Sequence, residues 1–197
     1  MWRTRIADRA NALVWRLPVP RRLRVLLSQL IYRNPPISVA RVSTALQALE
    51  EAEVKTVLMG GWGVDALVGR QLRSHGDLDL LTEETDLDRA IETLKNLGYE
   101  PWNRDYDPAP IGNQSVSVVQ TLRCPSLQVI ELHATDLQEM RPAKGKLAGK
   151  HVACLTAEQQ LQAQKMVERA WTPRRRLNRQ RNLAAVQGAL QRDPERV

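Results

Sequence analysis

Phenylalanine is absent from this chain of 197 residues, and five tryptophans and three tyrosines are its entire aromatic complement. That poverty argues against a dedicated aromatic platform for stacking nucleobases. Only two cysteines occur, Cys124 and Cys154, without paired spacing, so neither a disulfide framework nor a zinc ribbon is suggested. The three histidines are scattered, and His151 with Cys154 makes at most half a metal site. No run approaches the ~20 apolar residues needed to cross a bilayer. Free thiols and the lack of a recognisable signal peptide lead us to expect a reducing, cytoplasmic setting.

What the chain has in abundance is arginine, placed unevenly. Residues 1–36 carry eight arginines against the single acid Asp8, and residues 165–197 carry nine basic side chains against Glu168, Asp193 and Glu195. The middle, 37–164, keeps 12 basic and 18 acidic residues. The net +7 is therefore an acidic centre between two basic arms. Length and apolar content suit one domain with a real core and appended helices.

Apolar spacing and punctuation mark the organisation. Trp2, Ile6, Ala10, Leu13 and Leu17 follow helical period until Pro18 and Pro20, and a second set, Leu23 to Ile31, ends before Pro35–Pro36. Ser38 is placed to cap a helix reaching about Glu53. "KTVLMG" reads as a buried strand, Gly60–Gly61 as a turn, and Val64, Leu67 and Val68 as the apolar face of a helix. "DLDLLT" reads as a strand, followed by a helix capped at Thr85 or Asp86 that stops at Gly98. "SVSVVQTL" and "LQVIELHAT" alternate as strands of an antiparallel hairpin, and helices fit 157–171 and 174–191. We expect an α/β (α+β) fold, a mixed sheet flanked by helices. Its divisions are a basic helical arm over 1–36, a catalytic domain over 37–152 and a basic helical region over 153–197.

The chemistry concentrates in "MGGWGVDALVGRQLRSHGDLDLL", residues 59–81. Alternate side chains of a strand share a face, so Asp77 and Asp79 point one way while Leu78 and Leu80 enter the core. Neighbouring carboxylates repel unless a positive charge lies between them. A divalent cation does this economically, and Mg²⁺ suits a few carboxylates with phosphate oxygens and water. Alone, D-x-D fits a solvated edge strand better. The glycine pair changes the weighing: it follows a buried strand and precedes a helix, where free N–H groups favour phosphate. A third carboxylate, Glu131, stands on the polar face of another strand with His133, and the hairpin would bring it beside "DLDLL" to complete a three-acid cluster.

Strand, G-G, helix, D-x-D strand and a later acidic strand form a pattern that resembles the polymerase-β-type nucleotidyltransferases. "GGWGVDALVGRQLRSHGDLDL" resembles most closely the lincosamide and aminoglycoside branch, as do "VIELHAT" and "VACLTAEQQL" more loosely. The resemblance implies transfer of a nucleoside monophosphate from an NTP to a hydroxyl acceptor, a small molecule of that antibiotic type. It implies Asp77, Asp79 and Glu131 as metal-binding and catalytic residues with Mg²⁺, and Gly60, Gly61 and Arg73 at the nucleotide. Arg70 and His75 match polar positions of the motif, Trp62 reads as structural, and Asp65 reads as a helix-dipole partner. Lys144, Lys146 and Lys150 read as a solvated loop.

Two other readings stand beside this one. The basic arms suit a polyanionic acceptor, so a toxin-like enzyme acting on tRNA is the alternative. A catalytically inactive fold used as a binding module is the second. The first arm would also serve homo-oligomer formation or contact with a membrane surface.

Overall fold

A computed structural model of the chain describes residues 35–102, 118–126, 128–138, 140–166 and 173–192, with isolated positions among the first 34. The helices predicted for the first arm, the start of "SVSVVQTL" and the end of the helix predicted over 157–171 lie outside the described residues, apart from those isolated positions.

Helix α1, Val39–Glu51, begins where Ser38 caps it: the Ser38 hydroxyl accepts from the Arg41 amide at 3.3 Å. Val42, Ala45 and Leu49 form its buried stripe, at the spacing that one helix face demands. Strand β1, Thr56–Leu58, leads into helix α2, Gly60–Val68, which stops at Gly69 in the left-handed conformation. Strand β2 is Asp77–Glu83, and a single 3₁₀ turn, Glu84–Asp86, feeds helix α3, Leu87–Asn96. Asp86 stands at its N-cap and pairs with Arg89.

Strands β3 (Glu100–Pro101), β4 (Val118–Arg123), β5 (Val129–Thr135), β6 (Ala143–Leu147) and β7 (Lys150–Cys154) precede helices α4 (Ala157–Met166) and α5 (Pro173–Arg192). The seven strands form one mixed sheet in the order β3-β4-β5-β2-β1-β7-β6. β4 and β5 form the expected antiparallel hairpin, and β5 lies parallel to β2. The architecture is thus the expected α/β one.

The lysines read as a solvated loop are instead the outer face of the β6–β7 hairpin. Ala143, Gly145 and Leu147 are buried while Lys144 and Lys146 are exposed, a strict period of two. Gly145 is required there by close approach: a Cβ would lie 2.8 Å from the Cys154 Sγ and 2.9 Å from the Ala66 backbone. Helix α2 thereby rests on the hairpin.

The main core forms where α1 and α3 cover one sheet face. It holds Val42, Leu49, Leu78, Leu80, Ala90, Leu94, Leu122, Ile130 and Leu132. Leu78 and Leu80 are the in-pointing residues predicted from parity, Ile130 and Leu132 are their counterparts on β5, and each is at most 1% exposed. Burying such a leucine stabilises the fold by about 1.5–3 kcal/mol. The alternate residues of β2 and β5 are therefore committed to the opposite face. No helix among the described residues is long and apolar enough to cross a membrane.

Candidate active site

The site is built where β1 ends. The Met59 amide donates to the Asp79 carbonyl at 3.1 Å, tying the turn to β2. Gly60 follows with φ of +61°, a conformation that any residue with a Cβ adopts at a cost. A Cβ at Gly60 would overlap the Asp79 carboxylate. Bare backbone at this position is thus a double requirement, of dihedral angle and of room for Asp79.

Strand pairing then sets the carboxylates side by side. In the parallel register of β2 and β5, Asp79 stands opposite Glu131, and Asp77 stands opposite Val129. Ligand atoms of Asp79, Glu131 and His133 all lie within 4.8 Å of one another. Asp79 is partly buried, while Glu131 and His133 are 4% and 8% exposed. Asp77 shares the face of Asp79 and is partly buried, but stands one pleat away and outside this three-residue cluster. Burial pushes the His133 imidazole down to about 4, so it is neutral near pH 7 and presents a lone pair. Its buried Nε2 has no hydrogen-bond partner. Two carboxylates and a neutral imidazole make a donor set suited to a divalent cation.

The loop from α2 to β2 packs underneath the glycine turn. His75 is 1% exposed, and its Nε2 lies 2.5 Å from the Asp65 Oδ2. The other Asp65 oxygen accepts from the Leu72 amide at 3.1 Å. Asp65 is therefore a buried anchor inside α2, not a partner of the helix dipole, because the loop folds back over it. His75 is likewise kept from solvent. Its ring lies against Gly61, where a Cβ would collide with it, and 4.8 Å from the ring of the buried Trp62.

Arg73 is partly buried, donates to the Ser74 carbonyl at 3.0 Å, and brings its Nη2 within 3.1 Å of where a Gly61 Cβ would be. Arg70 is exposed. Sequence reasoning put His133 on the polar strand face but gave it no role. Its parity with Glu131 was the available signal.

The chain matches the model of the aminoglycoside-2''-adenylyltransferase family over residues 41–181. It belongs to that family. Within the lincosamide and aminoglycoside branch of nucleotidyltransferases, it is 32% identical over 68 residues to a lincosamide resistance protein of Staphylococcus haemolyticus. That stretch is 34% of this chain and 42% of the relative, so the match spans about two fifths of the relative's length.

The fold is similar to that of lincosamide antibiotic adenylyltransferase LnuA in its lincomycin-bound crystal structure. The TM-score is 0.60 at 18% identity, over 77% of this chain and 99% of that one. It is also similar to ANT(2'')-Ia in complex with adenylyl-2''-tobramycin, with a TM-score of 0.57 at 19% identity over 78% and 91% of the two chains. At these identities the likeness is one of nucleotidyltransferase fold. The family match begins after the basic arm of residues 1–36, which it leaves uncovered.

Proposed function

We propose that this family member transfers a nucleoside monophosphate from an NTP to a hydroxyl of a small antibiotic of the lincosamide or aminoglycoside type, with release of pyrophosphate. The observation that carries the reading is the packing of Asp79 against Gly60, with Glu131 alongside. Carboxylates and bare backbone N–H groups then converge where a triphosphate and its cation would meet. Asp79 and Glu131 would hold a divalent cation, Mg²⁺ in the first instance, with Asp77 reaching it from one pleat away. When bound, such an ion neutralises the charge of the triphosphate and of the leaving pyrophosphate.

The remaining work falls to the chain's own groups. The Gly60–Gly61 turn binds phosphate oxygens through backbone N–H groups, and Arg73, beside Gly61, offsets their charge. The Asp65–His75 pair holds the turn from beneath. A Glu131 carboxylate oxygen accepts the proton of the acceptor hydroxyl as the hydroxyl oxygen attacks the α-phosphorus and the bond to pyrophosphate breaks. Fixed placement of both reactants supplies much of the rate enhancement in transfers of this kind.

The test is incubation with each labelled NTP and Mg²⁺ against lincosamides, aminoglycosides and total tRNA. The expected result is label in one antibiotic pool. Label confined to tRNA would replace this reading with the RNA-modifying one. No label and no pyrophosphate in any pool would leave the binding-module reading.

A further inference from the structure

The cluster beside Gly60 contains one group that a purely carboxylate site does not explain. The His133 imidazole is nine-tenths buried, with donor atoms of Asp79 and Glu131 within 4.8 Å, yet its buried Nε2 has no hydrogen-bond partner. A histidine beside two acids ordinarily donates to one of them. Donor atoms sharing one ion at roughly 2.0–2.3 Å each stand about 3–4.5 Å apart, and these three, all within 4.8 Å of one another, stand close to that span. The strands enforce the arrangement: Glu131 and His133 are successive outward residues of β5, and Asp79 is the register partner of Glu131 on β2.

Resting on the proposed function for its metal, the geometry points to His133 as a direct ligand of the ion held by Asp79 and Glu131. We infer that the site binds Mn²⁺ more tightly than Mg²⁺. The reason is the donor set. Mg²⁺ demands oxygen ligands and sheds water reluctantly, so a nitrogen donor adds little to its binding. A first-row transition ion gains from imidazole, and Mn²⁺ retains the affinity for carboxylate that the other two donors require.

The experiment uses the full chain stripped of metal, titrated with Mn²⁺ and followed by electron paramagnetic resonance, with Mg²⁺ as competitor. Pulsed measurements then look for nitrogen coupling from a directly bound imidazole. Wild type should show that coupling. His133→Gln, which preserves bulk, should lose it, with Mn²⁺ affinity falling by at least the ~10-fold that loss of even an outer-shell partner costs. Mg²⁺ affinity should fall much less. His133→Ala, with its thermal midpoint measured alongside, checks that the loss follows the ligand and not the fold.

Mn²⁺ binding that requires Asp79 but shows no nitrogen coupling would overturn the inference. So would equal losses of Mn²⁺ and Mg²⁺ affinity in His133→Gln, or unchanged binding in Asp79→Asn. A chain that shows the coupling but transfers no nucleotide upholds the ligand and counts against the proposed function instead.

Discussion

Replacing Gly60 with alanine should separate backbone strain from damage to the site. Gly60 has φ of +61°, and a Cβ there meets the Asp79 carboxylate. The left-handed conformation alone costs a non-glycine residue roughly 1–2 kcal/mol. For a chain of this size each kcal/mol lowers the melting midpoint by about 2–4 °C, so a fall of roughly 2–8 °C is expected. The second effect is on Asp79, whose carboxylate must move away from the turn. Displacing a reacting group by ~1 Å typically costs about 100-fold in rate.

Gly69→Ala is the matched control. Its φ of +77° imposes the same backbone strain, but nothing lies within 4 Å of its Cβ. Scanning fluorimetry and steady-state transfer kinetics should therefore show both variants less stable, with only Gly60→Ala slowed by about 100-fold. If Gly60→Ala melts like Gly69→Ala and still transfers nucleotide at the wild-type rate, the turn and Asp79 do not form one site.

Three further outcomes follow from buried groups. Asp65→Ala leaves the His75 Nε2 and the Leu72 amide without their acceptor. At about 1–3 kcal/mol for each orphaned group, its melting midpoint should fall well below that of Asp65→Asn, which keeps an acceptor oxygen; equal midpoints would remove the anchor role. Burial lowers the His133 pKa from 6.5 to about 4, so in metal-free protein the unfolded chain takes up this proton first as pH falls. Stability should then be complete above about pH 6.5 and decline toward pH 4, by about 3 kcal/mol in all. Urea midpoints across that range should show the decline in wild type and a shallower one in His133→Gln; identical slopes would refute it. Burial pushes the Cys154 thiol up to about 12, so iodoacetamide should label it only after unfolding, and rapid labelling of native protein would contradict its buried position.

Parity made much of this fold readable. Leu78, Leu80, Ile130 and Leu132 alternate with polar residues, and burying them on one face forces Asp79 and Glu131 onto the other. Parity specifies a face but not a depth. Only the register, Asp79 opposite Glu131, places His133 with those acids and leaves Asp77 a pleat away. Pairing across long sequence separations is decided by the whole sheet, and no local pattern carries it.

The Asp65–His75 contact was hidden for a related reason. Nothing in "DALVGRQLRSH" shows that the loop returns to bury both residues against Gly61 and Trp62. The β6–β7 hairpin was obscured by composition. Lysines beside glycines suggested a loop, although Ala143, Gly145 and Leu147 already alternate with them. Gly145 there serves close packing against Ala66, not a turn.

Whether Asp79 holds the cation of the triphosphate is tested by comparing wild type with Asp79→Asn, a change that removes one charge with little change of shape. Pyrophosphate release and antibiotic labelling would be measured from the same reaction, with the melting midpoint recorded for each protein. Both products should vanish in the variant while the midpoint stays close to that of wild type. Undiminished transfer by a folded Asp79→Asn protein would contradict that role.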